Sequence, residues 1–389
     1  MEGDLINTNK ALQPLSWLYG LGIGFRNMLF EMGILKSRSF DVPVISVGNI
    51  TVGGTGKTPH VEYLIRLLKD NYKVAVLSRG YKRKSHGFLR ADEHSTVRDI
   101  GDEPFQMKTK FPDITIAVDS KRTRGITQLT SGDKDSQPDV ILLDDAFQHR
   151  YVKPGINIML VDYHRLIIYD KLLPSGRLRE PVKSKNRADI VIITKCPTDM
   201  KPMEYRVITK AMSLYPYQQL FFSTHEYEPP RPVFPKSAKK LGNFKDMNVL
   251  LLSGIASPEQ MLIDVQERAN QITPLSFSDH HNFSQKDIMH INEVFAELPS
   301  PKVIITTEKD ETRLLNTKGL SDEVKRSLYV LPIRISFMLD QEETFNKNII
   351  SYVRKNSRNS ILAKGKDDNK SKDSNHSGDR PRTISFRNN

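Results

Sequence analysis

The chain has 389 residues, long enough for two domains that each bury a core of their own. Its net charge is +12, but half of that surplus lies after Val353, so the charge does not by itself indicate a nucleic-acid-binding protein. A single cysteine, Cys196, excludes a disulfide framework and fits a reducing compartment. Residues 1–10 lack the basic and apolar regions of a secretory signal, so a cytoplasmic protein is expected.

The first predicted element is an apolar helix in Leu15–Leu35. Apolar side chains recur there at helical spacing, while Arg26 and Glu31 interrupt the run, so a membrane-spanning helix is not expected. Two interpretations stay open for the N-terminal region, residues 1–40, which contains this helix. The helix packs on the body of the protein, or it lies in the plane of a membrane surface.

A glycine-rich turn, Gly53-Gly54-Thr55-Gly56-Lys57-Thr58, follows the first predicted strand and precedes a helical segment. Strand, glycine loop and helix in this order form a P-loop. Its backbone N–H groups cradle phosphates, its lysine reaches the β- and γ-phosphates, and its threonine hydroxyl holds Mg²⁺. Thr51 departs from the usual pattern, which has glycine at that position. The predicted nucleotide-binding residues of the loop are Thr51, Val52, Gly53, Gly54, Thr55, Gly56, Lys57 and Thr58.

Charged side chains follow two other predicted strands. The strand Val140–Leu143 runs into Asp144 and Asp145, where a P-loop enzyme places the carboxylate that holds Mg²⁺. Arg79 follows the strand Val74–Leu77 and is expected to face the same cleft, because ligands of open α/β sheets gather at the carboxyl ends of the strands. A cation there would neutralise a substrate phosphate.

Two segments are candidates for acid–base chemistry. Asp102 precedes a helical stretch and is either a helix cap or a carboxylate that accepts the proton of an attacking hydroxyl. Asp279-His280-His281 ends a strand in the second half of the chain. No further ligand at zinc-like spacing is evident nearby, so a histidine paired with a carboxylate across an interdomain cleft is favoured over a zinc site.

The alternation of short apolar strands with helices predicts an α/β protein with two domains. A P-loop domain with a parallel sheet is expected at residues 41–220, and a second, smaller α/β domain at 237–353. Prolines at 229, 230, 232 and 235 indicate an extended linker at 221–236, and residues 354–389 form a basic tail that should be disordered. The predicted strands are Val42–Val47, Val74–Leu77, Ile114–Val118, Val140–Leu143, Ile156–Val161, Ile190–Thr194, Asn248–Leu252, Leu275–Phe277, Lys302–Thr306 and Leu328–Ile333.

Several classes of P-loop protein compete for this sequence. Partition and septum-site ATPases carry a lysine where this chain has Val52. A GTPase requires Asn-Lys-x-Asp, which neither Thr194–Pro197 nor Thr307–Asp310 supplies in full. A nucleic-acid motor would be larger, with more recognisable motifs. A further alternative is a membrane-docked nucleotide-binding protein whose ATPase switches its conformation.

Taken together, the motifs closely resemble the tetraacyldisaccharide 4'-kinase family, the lipid A 4'-kinases of Gram-negative bacteria. They are Gly48–Pro59, Ser78–Tyr81, Gly101–Pro104, Leu143–Arg150, Leu178–Glu180, Asp279–His281 and Thr307–Asp310, in family order. Family members often have glycine at the position of Ala146, and the basic tail has no obvious family counterpart.

The resemblance implies transfer of the γ-phosphate of ATP, with Mg²⁺, to the 4'-hydroxyl of a membrane-resident tetraacyldisaccharide 1-phosphate. It implies a peripheral protein on the cytoplasmic face of the inner membrane, without a nucleic-acid partner, and a monomer is expected. The family's motifs also suggest roles for residues of this chain. Lys57 and Thr58 would contact phosphate and metal, Asp144, Asp145 and Gln148 would contact Mg²⁺ and the γ-phosphate, and Asp102 would be the base with His280 as its partner. Arg179 and Glu180 would meet nucleotide and metal from the hinge side, and Arg79 and Arg150 would lie on the substrate or hinge.

Overall fold

The computed structural model describes residues 8–237, 241, 244–255, 258–279, 281–315 and 317–357. His280 and the tail beyond Ser357 lie outside the described residues. The strands are β1 Val44–Gly48, β2 Val74–Ser78, β3 Leu89–Arg90, β4 Thr115–Val118, β5 Val140–Asp144, β6 Ile156–Asp162, β7 Ile190–Thr194, β8 Gln219–Tyr227, β9 Arg231–Pro232, β10 Asn248–Ser253, β11 Gln271–Ser276, β12 Lys302–Thr306, β13 Leu328–Val330 and β14 Ile333–Phe337. The α-helices are α1 Gln13–Glu31, α2 Lys57–Leu68, α3 Val97–Ile100, α4 Asp102–Lys110, α5 Arg122–Leu129, α6 Pro202–Met212, α7 Glu259–Gln266, α8 Gln285–Glu297, α9 Glu308–Leu314, α10 Asp322–Ser327 and α11 Glu342–Asn356.

The described residues form two sheets. The first has nine strands in the order β14-β8-β7-β6-β1-β5-β2-β4-β3, and its seven central strands from β8 to β4 pair in parallel. The second has five strands in the order β11-β10-β12-β13-β9, with β9 antiparallel at one edge. The predicted α/β class, with a large parallel sheet and a second smaller sheet, is therefore confirmed.

The first sheet is buried because helices cover both of its faces. Its central strands β1, β2, β5 and β7 are buried along their whole length, which is why they are continuous runs of apolar residues without alternation. Helix α2 buries one apolar stripe, Val61, Leu64, Ile65 and Leu68, against this sheet. Burial of each such side chain stabilises the fold by roughly 2 kcal/mol.

The chain passes from the first sheet to the second and returns. Strand β8 lies in the first sheet, and after the second sheet β14 pairs antiparallel with β8, Tyr227 opposite Ile333. Helix α11 then buries Phe345, Ile349 and Val353 in the core of the first sheet. These features differ from the expected linker at 221–236 and from the expected second domain at 237–353. Pro229, Pro230 and Pro235 stand outside the strands, and Pro232 lies in β9 at the edge of the second sheet, where a proline is tolerated.

Helix α1 lies on the outside of the molecule and is attached at both of its ends. Ser16 Oγ donates to Leu172 O at 3.0 Å, and the buried Phe30 packs edge-on against Tyr151 with 5.0 Å between ring centroids. Between these points α1 leaves large apolar side chains in solvent, Trp17 at 66% and Leu21 at 70% exposure. Among the described residues, no helix combines the length and the apolar character that a bilayer crossing requires.

Candidate active site

The glycine-rich turn joins β1 to the first turn of α2, as the sequence predicts. Gly53 and Gly56 have φ angles of +114° and +77°, a region that side chains with a Cβ rarely adopt. Asn49 Nδ2 donates to Thr55 Oγ1 at 2.8 Å, and Thr194 Oγ1 donates to Thr55 O at 3.1 Å. These bonds fix the loop before any ligand arrives. Its backbone N–H groups and the start of α2 can then receive phosphates.

Two histidines lie beneath this loop, the buried His60 and the partly buried His225. His60 on α2 donates from Nδ1 to Gly56 O at 2.7 Å, and its Nε2 lies 3.1 Å from Ser223 Oγ on β8. Burial lowers the pKa of His60 to about 4, and burial together with His60 lowers the pKa of His225 to about 3. Both rings are therefore neutral at physiological pH. The sequence offered no motif for them, because β8 and α2 are distant in the chain.

Asp144 and Asp145 lie at the carboxyl end of β5, and their environments differ. Burial, with the charge of Asp145 beside it, raises the pKa of Asp144 to about 6, although Ser78 Oγ donates to it at 3.0 Å. Burial would also raise the pKa of Asp145, but the cations of Lys57 and Arg179 outweigh it and hold this pKa below its usual value. Lys57 Nζ lies 3.8 Å from Asp145 Oδ1, and Arg179 NH1 lies 3.4 Å from Oδ2. The P-loop lysine and the acid are thus brought together, with Asp145 as the ionised carboxylate.

Arg179 connects the P-loop to the end of β5. Its guanidinium donates to Thr51 O at 2.9 Å, to Asn49 Oδ1 at 3.1 Å and to Gln148 Oε1 at 3.2 Å. Gln148 Nε2 in turn donates to Asn49 O. Thr51, which stands where a glycine is usual, is therefore held by its carbonyl rather than left mobile. Predicted residues Arg179, Gln148 and Thr51 all belong to one network, and Asn49 is a member that the sequence analysis missed.

The residues present fit a magnesium ion better than a transition metal. Asp145 Oδ1 is buried and accepts no hydrogen bond from the described part of the chain. No group of three or more His, Cys, Asp or Glu side chains able to hold a metal occurs among the described residues. Mg²⁺ suits such a site, because it takes one or two carboxylates and completes its shell with water and substrate phosphates. Thr58, in the first turn of α2, offers the hydroxyl that P-loop proteins use.

Glu180 and Arg150, two further predicted site residues, contact Arg187 and Asn27, respectively. Glu180 is buried and accepts from Arg187 at 2.5 Å, while its Oε1 has no hydrogen-bond partner within the described ranges. Arg150 donates to the main chain and side chain of Asn27 on α1, at 3.1 and 3.0 Å, and its guanidinium lies over the ring of Phe30. Arg150 therefore anchors α1 beside the site.

A group of arginines lies next to Asp144. Arg122, in the first turn of α5, is buried and donates to Asp144 O at 3.0 Å and to Asp119 O at 2.9 Å. Burial lowers the pKa of Arg122 to about 10. Burial first, and then Arg122, Arg26 and Arg79, lower the pKa of His149 to about 4. Arg79 is exposed, as expected for a residue that meets a ligand. Arg122 was missed by sequence analysis, although an arginine opening a helix after a strand end was a usable signal.

Asp102 contacts a helix that packs with the second sheet. Asp102 opens α4 and accepts from Arg313 of α9 at 2.6 Å. Asp279 accepts from Lys309 at 2.8 Å, and His281 Nε2 lies 2.9 Å from Asp287 Oδ2. The predicted partner of Asp102, His280, lies outside the described residues, so their pairing stays a prediction.

Comparisons with known proteins agree with one another. Residues 8–354 match the model of a family described as tetraacyldisaccharide-1-P 4'-kinase. The tetraacyldisaccharide 4'-kinase of Phocaeicola vulgatus is 58% identical over 365 residues, covering 92% of this chain and 99% of its own. That of Bacteroides thetaiotaomicron is 53% identical over 373 residues, covering 93% and 98%. The crystal structure of LpxK from Aquifex aeolicus in complex with ATP is similar with a TM-score of 0.67 and 30% identity, covering 88% of this chain and 98% of that one.

Proposed function

This chain belongs to the tetraacyldisaccharide-1-P 4'-kinase family, and we propose that it transfers the γ-phosphate of ATP to the 4'-hydroxyl of a tetraacyldisaccharide 1-phosphate in lipid A biosynthesis. The observation that carries the proposal is the convergence of Lys57, Arg179 and Asp145 at the mouth of a P-loop. Two cations beside one ionised carboxylate suit a Mg²⁺–triphosphate, which brings both a metal and negative oxygens.

Positioning and charge neutralisation account for most of the expected catalysis. The transition state of phosphoryl transfer is loose, with negative charge spread over the equatorial oxygens. Lys57 and the loop N–H groups would stabilise that charge without reorganising, because the hydrogen bonds of Asn49 and Thr194 already fix the loop. Mg²⁺, when bound, would further neutralise the phosphate charge. Thr58 and Asp145 would hold it, with Asp144 beside them, and Glu180 stays a predicted further ligand.

The acceptor hydroxyl is expected to enter between α4 and the end of β5. Asp102 would accept its proton, and Gln148 would contact the γ-phosphate. Arg79 and Arg122 give this side of the cleft a positive potential, which suits an acceptor that itself carries a phosphate. The position of each side chain, together with the chemistry of the family, supports these roles.

Docking of α1 at the membrane would bring this site to a lipid substrate. The exposed apolar residues of α1 form a hydrophobic surface whose contact with water is unfavourable. Lys36 and Arg38 follow the helix and supply cations for anionic headgroups. We therefore infer a peripheral protein of the cytoplasmic face of the inner membrane. Its site would open toward the bilayer surface.

One assay tests the proposed reaction. The protein is incubated with γ-labelled ATP, Mg²⁺ and a tetraacyldisaccharide 1-phosphate, and the lipids are extracted and separated. A labelled bisphosphate lipid that is absent without acceptor is the expected result. Consumption of ATP without that lipid would instead support a nucleotide-switch ATPase.

A further inference from the structure

Helices α4 and α9 face each other across the boundary between the two sheets. Asp102 at the start of α4 accepts a 2.6 Å hydrogen bond from Arg313 NH2 near the end of α9. Only 14% of the Asp102 side chain and 5% of the Arg313 side chain are exposed. A charge-assisted hydrogen bond that is shielded from water is stronger and more directional than one at the surface. The orientation of the Asp102 carboxylate therefore depends on a residue 211 positions later in the chain.

Arg313 enters this contact with its own position fixed. Its NH1 donates to Asp310 Oδ1 at 3.1 Å. Asp310 is fully buried, and its Oδ2 accepts from Gly254 N at 2.8 Å and from Thr307 Oγ1 at 2.7 Å. Because the guanidinium is already held, little side-chain entropy is left to lose when it binds Asp102. Two residues of the segment Thr307–Asp310, Thr307 and Asp310, thus support Arg313.

Other ion pairs hold the same two helices together. Lys110 at the end of α4 lies 2.6 Å from Glu308 on α9 and also 2.6 Å from Glu62 on α2. Lys309 lies 4.0 Å from Glu103. These contacts keep α9 docked on α4. Because Arg313 belongs to α9, the docking also holds Arg313 against the Asp102 carboxylate.

We propose that Arg313 is a positioning residue for phosphoryl transfer, which holds the Asp102 carboxylate where the acceptor hydroxyl approaches. The proton acceptor is then correctly oriented while α9 is docked on α4. This inference rests on the proposed function, since it requires Asp102 to act on the acceptor. Loss of Arg313 should slow turnover while ATP binding stays unchanged, because the P-loop contacts do not involve it.

A kinetic double-mutant cycle tests the coupling. Arg313→Ala, Asp102→Ala and the double variant are assayed with the lipid acceptor, and kcat and the KM for ATP are measured for each. Arg313→Ala should lower kcat by about 10²-fold, as for a misplaced catalytic group, with the KM for ATP within about twofold. In the Asp102→Ala background the same substitution should have no further effect on kcat. Arg313→Lys should recover part of the lost rate.

Arg231→Ala is the matched control, because Arg231 also forms an ion pair with α9, 2.5 Å from Glu311, and no described contact joins it to Asp102. Its kcat should stay near that of the unaltered protein. If the effects of Arg313→Ala and Asp102→Ala multiply in the double variant, the positioning role is wrong while the role of Asp102 stands. If Asp102→Ala turns over normally, the proposed proton acceptor fails, and this inference with it. Should Arg313→Ala fail to fold in a thermal melt, Arg313→Gln takes its place in the cycle.

Discussion

Lys57 and Asp145 join the P-loop to the acidic end of β5, and each is the other's counter-charge. When a triphosphate and Mg²⁺ bind, the lysine would turn to the phosphates and the carboxylate to the metal. The ion pair thus holds both side chains at the mouth of the P-loop, and it helps to keep the pKa of Asp145 below its usual value. An ion pair between partly exposed side chains adds little to the stability of the fold. We therefore expect this ion pair to matter for catalysis rather than for stability.

We expect Lys57→Ala and Asp145→Ala each to abolish measurable kinase activity, because each removes a charge that the transition state needs. Labelled-lipid formation is the measurement, with a thermal melt to show that the fold is intact. Lys69→Ala, at the far end of α2, is the control and should be fully active. Turnover near normal in either site variant would exclude the proposed phosphate and metal roles.

The two histidines beneath the P-loop predict an effect of pH on stability. The folded pKa of His60 is about 4 and that of His225 about 3, against 6.5 for a free imidazole. Below about pH 6.5 the unfolded chain therefore takes up protons that the folded chain cannot, and the free energy of unfolding falls as pH falls. Each histidine should contribute a loss of about 1.4 kcal/mol per pH unit between pH 6.5 and its folded pKa.

Urea denaturation at pH 7.5, 6.5 and 5.5 measures this slope. His60→Gln should flatten it relative to the unaltered protein, while His94→Gln, at an exposed position, should leave it as it is. Equal slopes in all three proteins would show that His60 is not held neutral by burial.

Helix α1 shows at the scale of an element how a segment can be stable and still expose apolar residues. Ser16, Tyr19 and Phe30 attach one side of it, Tyr19 by donating to Arg179 O at 3.0 Å. The opposite side remains available for a surface. Sequence periodicity predicted the helix and left its environment open between packing and docking; the structure shows that one side packs and the other does not.

Replacement of Trp17 and Leu21 by Ser should weaken binding to liposomes that contain anionic lipid. Each substitution removes roughly 2 kcal/mol of apolar transfer energy, so a drop of more than tenfold in the partition constant is expected. Co-sedimentation measures it. The control replaces Met203 and Tyr217, which are 66% and 60% exposed elsewhere, and should bind normally. Unchanged binding of the α1 variant would contradict docking by this face.

At the scale of the whole molecule, α11 completes the core of the first sheet after the chain has returned from the second sheet. A chain that ends after Asp340 lacks Phe345, Ile349 and Val353, and it should lose roughly 2 kcal/mol of stability for each of these buried side chains. A chain that ends after Ser357 keeps every contact described above and should melt like the full chain. Thermal melts of the two truncations make the comparison, and equal melting temperatures would contradict this role of α11.

The sequence predicted what is local and missed what is distant. The P-loop, the strand that ends at Asp144 and most parallel strands could be predicted, because each is encoded in a continuous run of residues. The pairing of β8 with β14 and the contact of Asp102 with Arg313 join residues about a hundred or more positions apart. Arg122 and Asn49 were missed for the same reason, since Arg122 donates to Asp144 at the end of another strand and Asn49 accepts from Arg179, 130 positions later.

The antiparallel pair β8–β14 carries both chain crossings between the sheets, with Tyr227 opposite Ile333. Two hydrogen-bonded crossings side by side form a ribbon that resists stretching but twists and bends with little resistance. The second sheet is therefore expected to have one favoured axis of rotation, which runs through this ribbon. His225 of this ribbon lies beneath Gly56, and Ser223 contacts His60 on α2, so that axis passes close to the phosphate-binding loop.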